Sequence, residues 1–151
     1  MGVKKFSFSL DNVLNYKNQL LDSLMNEHAN FLAEIRTQEL LIKAVTEQYE
    51  SCGRELKERQ RQGIKVMDIY TYDNYMDVLA YRIKKEQEVL ALIRKKEEMK
   101  RAQVVEAKKE SASIERLKEK KIEIYNHAVQ KEEELLIEEF VANSRNRNRA
   151  V

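Results

Sequence analysis

Two histidines, one cysteine and a dense population of glutamates are the residues of this 151-residue chain that could take part in chemistry. His28 and His127 lie far apart, and neither has a cysteine or second histidine at the spacing a zinc site requires. Cys52 is the only cysteine, so no internal disulfide can form, which fits a reducing compartment. No glycine-rich run could cradle a phosphate. The glutamates fall in helix-forming stretches with nothing nearby to shift their pKa values. These residues therefore predict no catalytic centre, no metal, no cofactor and no small-molecule substrate. The aromatic residues offer a different chemistry. Tyr49, Tyr70, Tyr72, Tyr75 and Tyr81 are five of the seven tyrosines. Tyrosine rings are typical anchors of protein-binding surfaces.

The elements that position these residues follow from composition and period. The chain has no proline, three glycines and 36% charged residues. Charge at that level, against ~25% in ordinary globular domains, leaves too few apolar residues for a thick core. A two-helix seam needs only a narrow apolar stripe. From Leu14 one row recurs every seven residues: Leu14, Leu21, His28, Ile35, Ile42, Tyr49 and Leu56. A second row reads Lys17, Leu24, Phe31, Gln38, Val45, Cys52 and Arg59. These are the a and d positions of a left-handed coiled coil. On this seam His28 reads as a hydrogen-bonded member of a polar layer, and Cys52 as a small buried hydrophobe.

The rows stop at Gly63, which can take the positive φ that ends a helix. They resume as Tyr72, Leu79, Glu86, Ile93, Lys100, Ala107 and Ile114, with Met76, Ile83, Leu90, Glu97, Val104, Ser111 and Lys118 beside them. A stutter follows, and Ile122, Tyr125, Val129, Leu136 and Phe140 carry the stripe onward. The expected fold is all-α, an antiparallel two-helix coiled coil forming a hairpin of unequal long helices. The expected organisation is one domain: an extended arm over 1–9, helix one over 10–62, a turn over 63–67, helix two over 68–142 and a basic, frayed tail over 143–151. Ser9 or Asp11 is the expected helix cap.

A turn near Gly63 places Leu56 opposite Met76, Ile42 opposite Leu90 and Leu14 near Lys118. Mid-seam layers then set Ile35 against Glu97 and Phe31 against Lys100, forfeiting apolar contact. Such a narrow hairpin offers no cavity of substrate size. It cannot bury five tyrosine rings near its turn, although some of them can plug the seam. Roughly the last 25 residues of helix two, ~36 Å at the helical rise, are left without an intrachain partner. An apolar stripe there is a binding site or a source of self-association.

Net charge is +2, which favours neither nucleic acid nor a membrane surface. Residues 82–121 hold 14 Lys or Arg against eight Asp or Glu, whereas 123–139 hold six Glu and one Lys. Arg145, Arg147 and Arg149 follow. This pattern reads either as a solvated face with i,i+4 pairs or as a docking surface of alternating sign. The basic segment lacks the interleaved aromatics of a nucleic-acid groove. No apolar run is long enough to span a membrane, no signal-peptide pattern is present, and Phe6 occupies the Ser/Thr place of a myristoylation motif. A soluble, cytoplasmic protein is expected.

The opening Phe6-x-Phe8-x-Leu10-x-x-Val13-Leu14, followed by Lys17, resembles the start of the flagellar export protein FliJ family. Gly63-Ile64, then Ile69, Tyr72, Tyr75 and Leu79, resembles that family's glycine turn and the helix after it. The unequal helices and the glutamate-rich stripe from Glu132 to Phe140 agree, so the resemblance covers nearly the whole chain. Lys17 departs from it, standing where an arginine is more usual. The resemblance implies a non-catalytic part of the flagellar protein export apparatus, similar to the central stalk of rotary ATPases. It implies that the paired chain ends enter the ring of the export ATPase FliI, with Phe6, Phe8, Leu135, Leu136 and Phe140 as candidate contacts. It further implies that the tip half meets the export gate protein FlhA through Gln38, Ile42, Val45, Tyr49, Tyr75 and Leu79. Ile42, Val45 and Leu79 also lie on the seam rows. Export chaperones are additional partners it suggests, and the cytoplasmic face of the inner membrane is the place of assembly. The competing reading is a cytoplasmic scaffold or adaptor that dimerises through the helix-two overhang. A prefoldin-type chaperone is disfavoured because the short turn leaves no room for β-hairpins.

Overall fold

The structure, a computed structural model, describes residues 4–150. Two helices, α1 (Asp11–Gln62, 52 residues) and α2 (Val66–Arg149, 84 residues), form an antiparallel hairpin. No strand occurs among the described residues. Gly63 adopts φ 99°, and no described non-glycine residue has a positive φ. The lone left-handed residue of the turn is thus the one without a Cβ. The Lys65 carbonyl then accepts from the N–H groups of Asp68 and Ile69, opening α2. Arg59 and Arg61 in the last turn of α1 and Asp68 in the first turn of α2 suit the helix dipoles.

Helix α1 begins one residue later than expected, and α2 differs from the sequence expectation at both ends. Helix α2 begins at Val66 and runs through the segment expected to fray, ending at Arg149. Residues 143–149 contain neither glycine nor proline, and Arg147 and Arg149 sit in the last turn, where positive charge is favourable. Residues 4–8 form a non-helical arm. Asp11 lies inside the first turn of α1, and its carboxylate meets Lys118 Nζ at 3.0 Å. Met1 and Gly2, read above against a lipidation motif, lie outside the described residues.

The chain divides into two compact units, Asp22–Val105 and the pair Met1–Leu21 with Glu106–Val151. In the first, the turn joins the two helices, and Val45, Cys52, Leu79, Leu90 and Val104 are buried. Every predicted row position in this unit is buried or half-buried except Arg59. The polar layers are satisfied by hydrogen bonds and ion pairs. Gln38 Nε2 donates to the Glu86 carbonyl at 2.9 Å, and Lys100 Nζ pairs with Glu27 at 2.6 Å. Glu97 is buried. His28 Nε2–H donates to its carboxylate at 2.9 Å, and the Arg101 guanidinium binds both oxygens. A buried carboxylate needs donors, and these two side chains supply them. Among the described residues, no buried side-chain nitrogen or oxygen lacks a partner.

In the second unit, Phe8, Leu14, Ala107 and Ser111 are buried. Lys17 Nζ bridges to Glu110 at 2.8 Å, and the Ser111 hydroxyl donates to Asn18. The arm continues along α2, where the Phe6 ring tilts 59° against Tyr125 with centroids 5.5 Å apart. Beyond Glu132 every described residue is exposed.

Candidate partner-binding surfaces

Near the turn, side chains flanking the seam form an open groove of about 690 Å³. Ala44, Gln48, Ser51 and Glu55 face it from α1, and Thr71, Tyr72 and Tyr75 from α2. It is a surface furrow and not a cavity, in keeping with the expectation that the hairpin has no cavity of substrate size. Two ridges of unequal side chains leave a furrow wherever small residues such as Ala44 and Ser51 face large rings. The furrow is open along its length and does not enclose a molecule in the way a substrate pocket does.

The groove has a polar-aromatic character. Arg59 lies over the Tyr72 ring at 5.7 Å from its centroid. Burial raises the Tyr72 phenol above its ordinary range, as does the Glu55 carboxylate, while Arg59 opposes the shift. Burial also raises the Cys52 thiol, with a smaller push from Glu55. Cys52 is thus a protonated, weakly nucleophilic wall of the groove at neutral pH.

The residues singled out for the tip divide into three groups. Val45 (2% exposed) and Leu79 (4%) are covered by the hairpin itself. Gln38, Ile42 and Tyr49 are half-buried, and Gln38 is engaged with Glu86. Tyr75 (52%), Tyr70 (59%) and Tyr81 (63%) are exposed. Tyr75 alone of the six both lines the groove and faces outward.

In the second unit, Phe8 is buried and Phe6 is half-buried against Tyr125, so the arm is largely engaged in holding α2. Leu135 (56%), Leu136 (54%) and Phe140 (75%) are exposed, joined by Ile137 and Val141. Five large apolar side chains within two helical turns are far more than scattered surface residues require. They stand among Glu132, Glu133, Glu134, Glu138 and Glu139.

A family model described as "Flagellar FliJ protein" matches residues 6–150. The chain belongs to the FliJ family. Membership makes it a component of the flagellar export apparatus, and the family is non-catalytic. No curated protein and no solved structure matches the chain. Among the described residues, no group of histidine, cysteine and carboxylate side chains could hold a metal, and no helix is long and apolar enough to cross a membrane.

Sequence reasoning on this FliJ-family chain missed most of the groove. Ala44, Gln48, Ser51 and Glu55 recur at spacings of four, three and four, one position before Val45, Tyr49, Cys52 and Leu56. That is the flank of a seam, legible in principle from the rows. What the rows could not reveal is that small residues there would face Tyr72 and Tyr75.

Proposed function

We propose that this FliJ-family chain is a stalk of the flagellar export ATPase, joining the FliI ring to the export gate FlhA. The observation that carries the reading is the exposed apolar run Leu135–Val141 on α2 of a chain that also exposes Tyr70, Tyr75 and Tyr81 near the turn. A ring lumen accepts a helix end, and an apolar stripe edged with carboxylates suits such a lumen if it is apolar and basic. Leu135, Leu136 and Phe140 make the contact, while Phe6 and Phe8 brace the helix. At the tip, Tyr75 contacts the gate directly. Tyr49, Ile42 and Gln38 contribute their exposed edges, and Val45 and Leu79 hold the two helices in register. The chain works without a cofactor, in the cytoplasm, at the inner face of the membrane when assembled, and export chaperones are further partners. Coupling arises from contacts that differ between states of the ring, since equal contacts bias nothing.

The test is ATP hydrolysis and ring assembly by the cognate ATPase with the chain added well below one copy per subunit. Stimulation, lost on Phe140→Glu and retained on Tyr75→Ala, supports the reading. No stimulation by a fully helical chain overturns it. The scaffold reading predicts that second result.

A further inference from the structure

The exposed end of α2 is self-complementary, and we infer that it pairs with the same segment of a second copy in an antiparallel helix dimer. Two independent features place the twofold axis at the same point. The exposed apolar cluster runs from Leu135 to Val141 and is centred on residue 138. The acidic residues Glu132–Glu134, Glu138 and Glu139 and the basic residues Arg145, Arg147 and Arg149 lie on either side of a midpoint near residue 141. The two centres agree within one helical turn of ~3.6 residues. Antiparallel pairing about that axis lays Phe140 against Phe140 of the second copy. It also lays each copy's arginines along the other's Glu132–Glu134. A parallel pairing would set glutamate on glutamate and arginine on arginine, which like charges resist. The interface is isologous, so it closes at two copies and does not extend into a fibre.

All these residues but the half-buried Glu132 lie in the stretch of α2 that the chain leaves exposed. At about 100° per residue Leu136, Ile137, Phe140 and Val141 share one side of α2 while Leu135 stands on the far side, so four apolar side chains per copy bury less than about 1,000 Å² in total, the lower limit for a specific interface. The dimer is therefore a weak one that exchanges in the micromolar range. Its charged contacts are solvent-exposed and screened within ~8 Å at physiological ionic strength, so added salt weakens it. The dimer covers Leu136 and Phe140, the residues assigned above to the ATPase ring. Free chain at high concentration is thereby held in a form that cannot enter the ring, and dilution or ring assembly releases it.

Sedimentation equilibrium of the full chain tests this over roughly 2–200 µM at low and at high salt. Association to a dimer that weakens with salt is expected. Phe140→Glu should raise the dissociation constant at least tenfold with helical content unchanged. Arg145→Glu, Arg147→Glu and Arg149→Glu together should weaken the dimer similarly. Adding Glu132→Lys, Glu133→Lys and Glu134→Lys to that same chain should restore it, because antiparallel contacts are re-formed with the signs exchanged. A monomer at every concentration, a dimer indifferent to Phe140→Glu, or failure of the combined reversal to restore association would each overturn the inference.

Discussion

Replacing Gly63 by alanine isolates the energetic role of the turn. Gly63 has φ 99°, and a Cβ added there would meet nothing within 4 Å. The substitution therefore adds no clash, and its whole cost is the left-handed backbone imposed on an L residue. That cost is about 1–2 kcal/mol, and the smaller entropy of the unfolded alanine chain does not cancel it. The folding equilibrium should fall roughly 5- to 30-fold, and the midpoint of thermal unfolding by about 2–8 °C for a chain of this size. Asparagine tolerates the left-handed region better, so Gly63→Asn should lose less than Gly63→Ala. Gly53→Ala is the control. Gly53 lies inside α1, and its added Cβ meets only the flexible end of Met76, 3.3 Å away. A glycine inside a helix is about 1 kcal/mol worse than alanine, so this change should raise the midpoint. Circular dichroism melts at one concentration, with sedimentation to check that the hairpin has not opened, decide the matter. The same sign of shift for both alanine variants would refute the assignment of the turn to backbone strain at Gly63.

Other outcomes follow from the seam and the groove. Hydrogen bonds from Arg101 and then His28 hold the Glu97 carboxyl below its ordinary value near 4.5. A depressed carboxylate stabilises the folded state above that ordinary value, and the contribution is lost as pH falls through the folded pKa. Melting midpoints measured from pH 7 downward should thus drop more steeply below about 4.5 in the natural chain than in Glu97→Gln; parallel acid limbs would remove Glu97 from the account. Cys52 should react with a thiol reagent at pH 8 far more slowly than a free cysteine, and at the free rate in denaturant. Rapid labelling of the folded chain would mean that the tip opens readily. Val45→Ala empties a side chain that is 2% exposed and should cost about 1–3 kcal/mol in denaturant unfolding. Tyr75→Ala removes a ring that is 52% exposed and should change stability by less than about 0.5 kcal/mol while weakening the proposed contact with the gate. If Tyr75→Ala destabilised as much as Val45→Ala, its ring would belong to the seam.

Much of this protein was legible in the sequence because coiled-coil order is periodic and local. Repeats at a spacing near 3.5 residues identified the buried stripe position by position, from Leu14 to Leu56 and from Tyr72 to Lys118. A lone glycine between two unbroken patterns marked the turn. Counting back from Gly63 exposed the surplus of helix two and the unpaired Leu136 and Phe140. The tertiary structure decided what a repeat cannot encode. The repeat assigns a residue to a stripe, but contact partners depend on which way long side chains lean and which donors they reach. Thus Glu97 finds donors in His28 and Arg101, and Lys100 finds Glu27. Position beside the stripe, and the size of the residue facing across it, made a groove of Ala44, Ser51, Tyr72 and Tyr75. The same packing buried Val45 and Leu79 and left Tyr75 outward, separating residues that the resemblance had grouped as one surface. Period is a property of a single helix, whereas exposure is a property of two helices packed together.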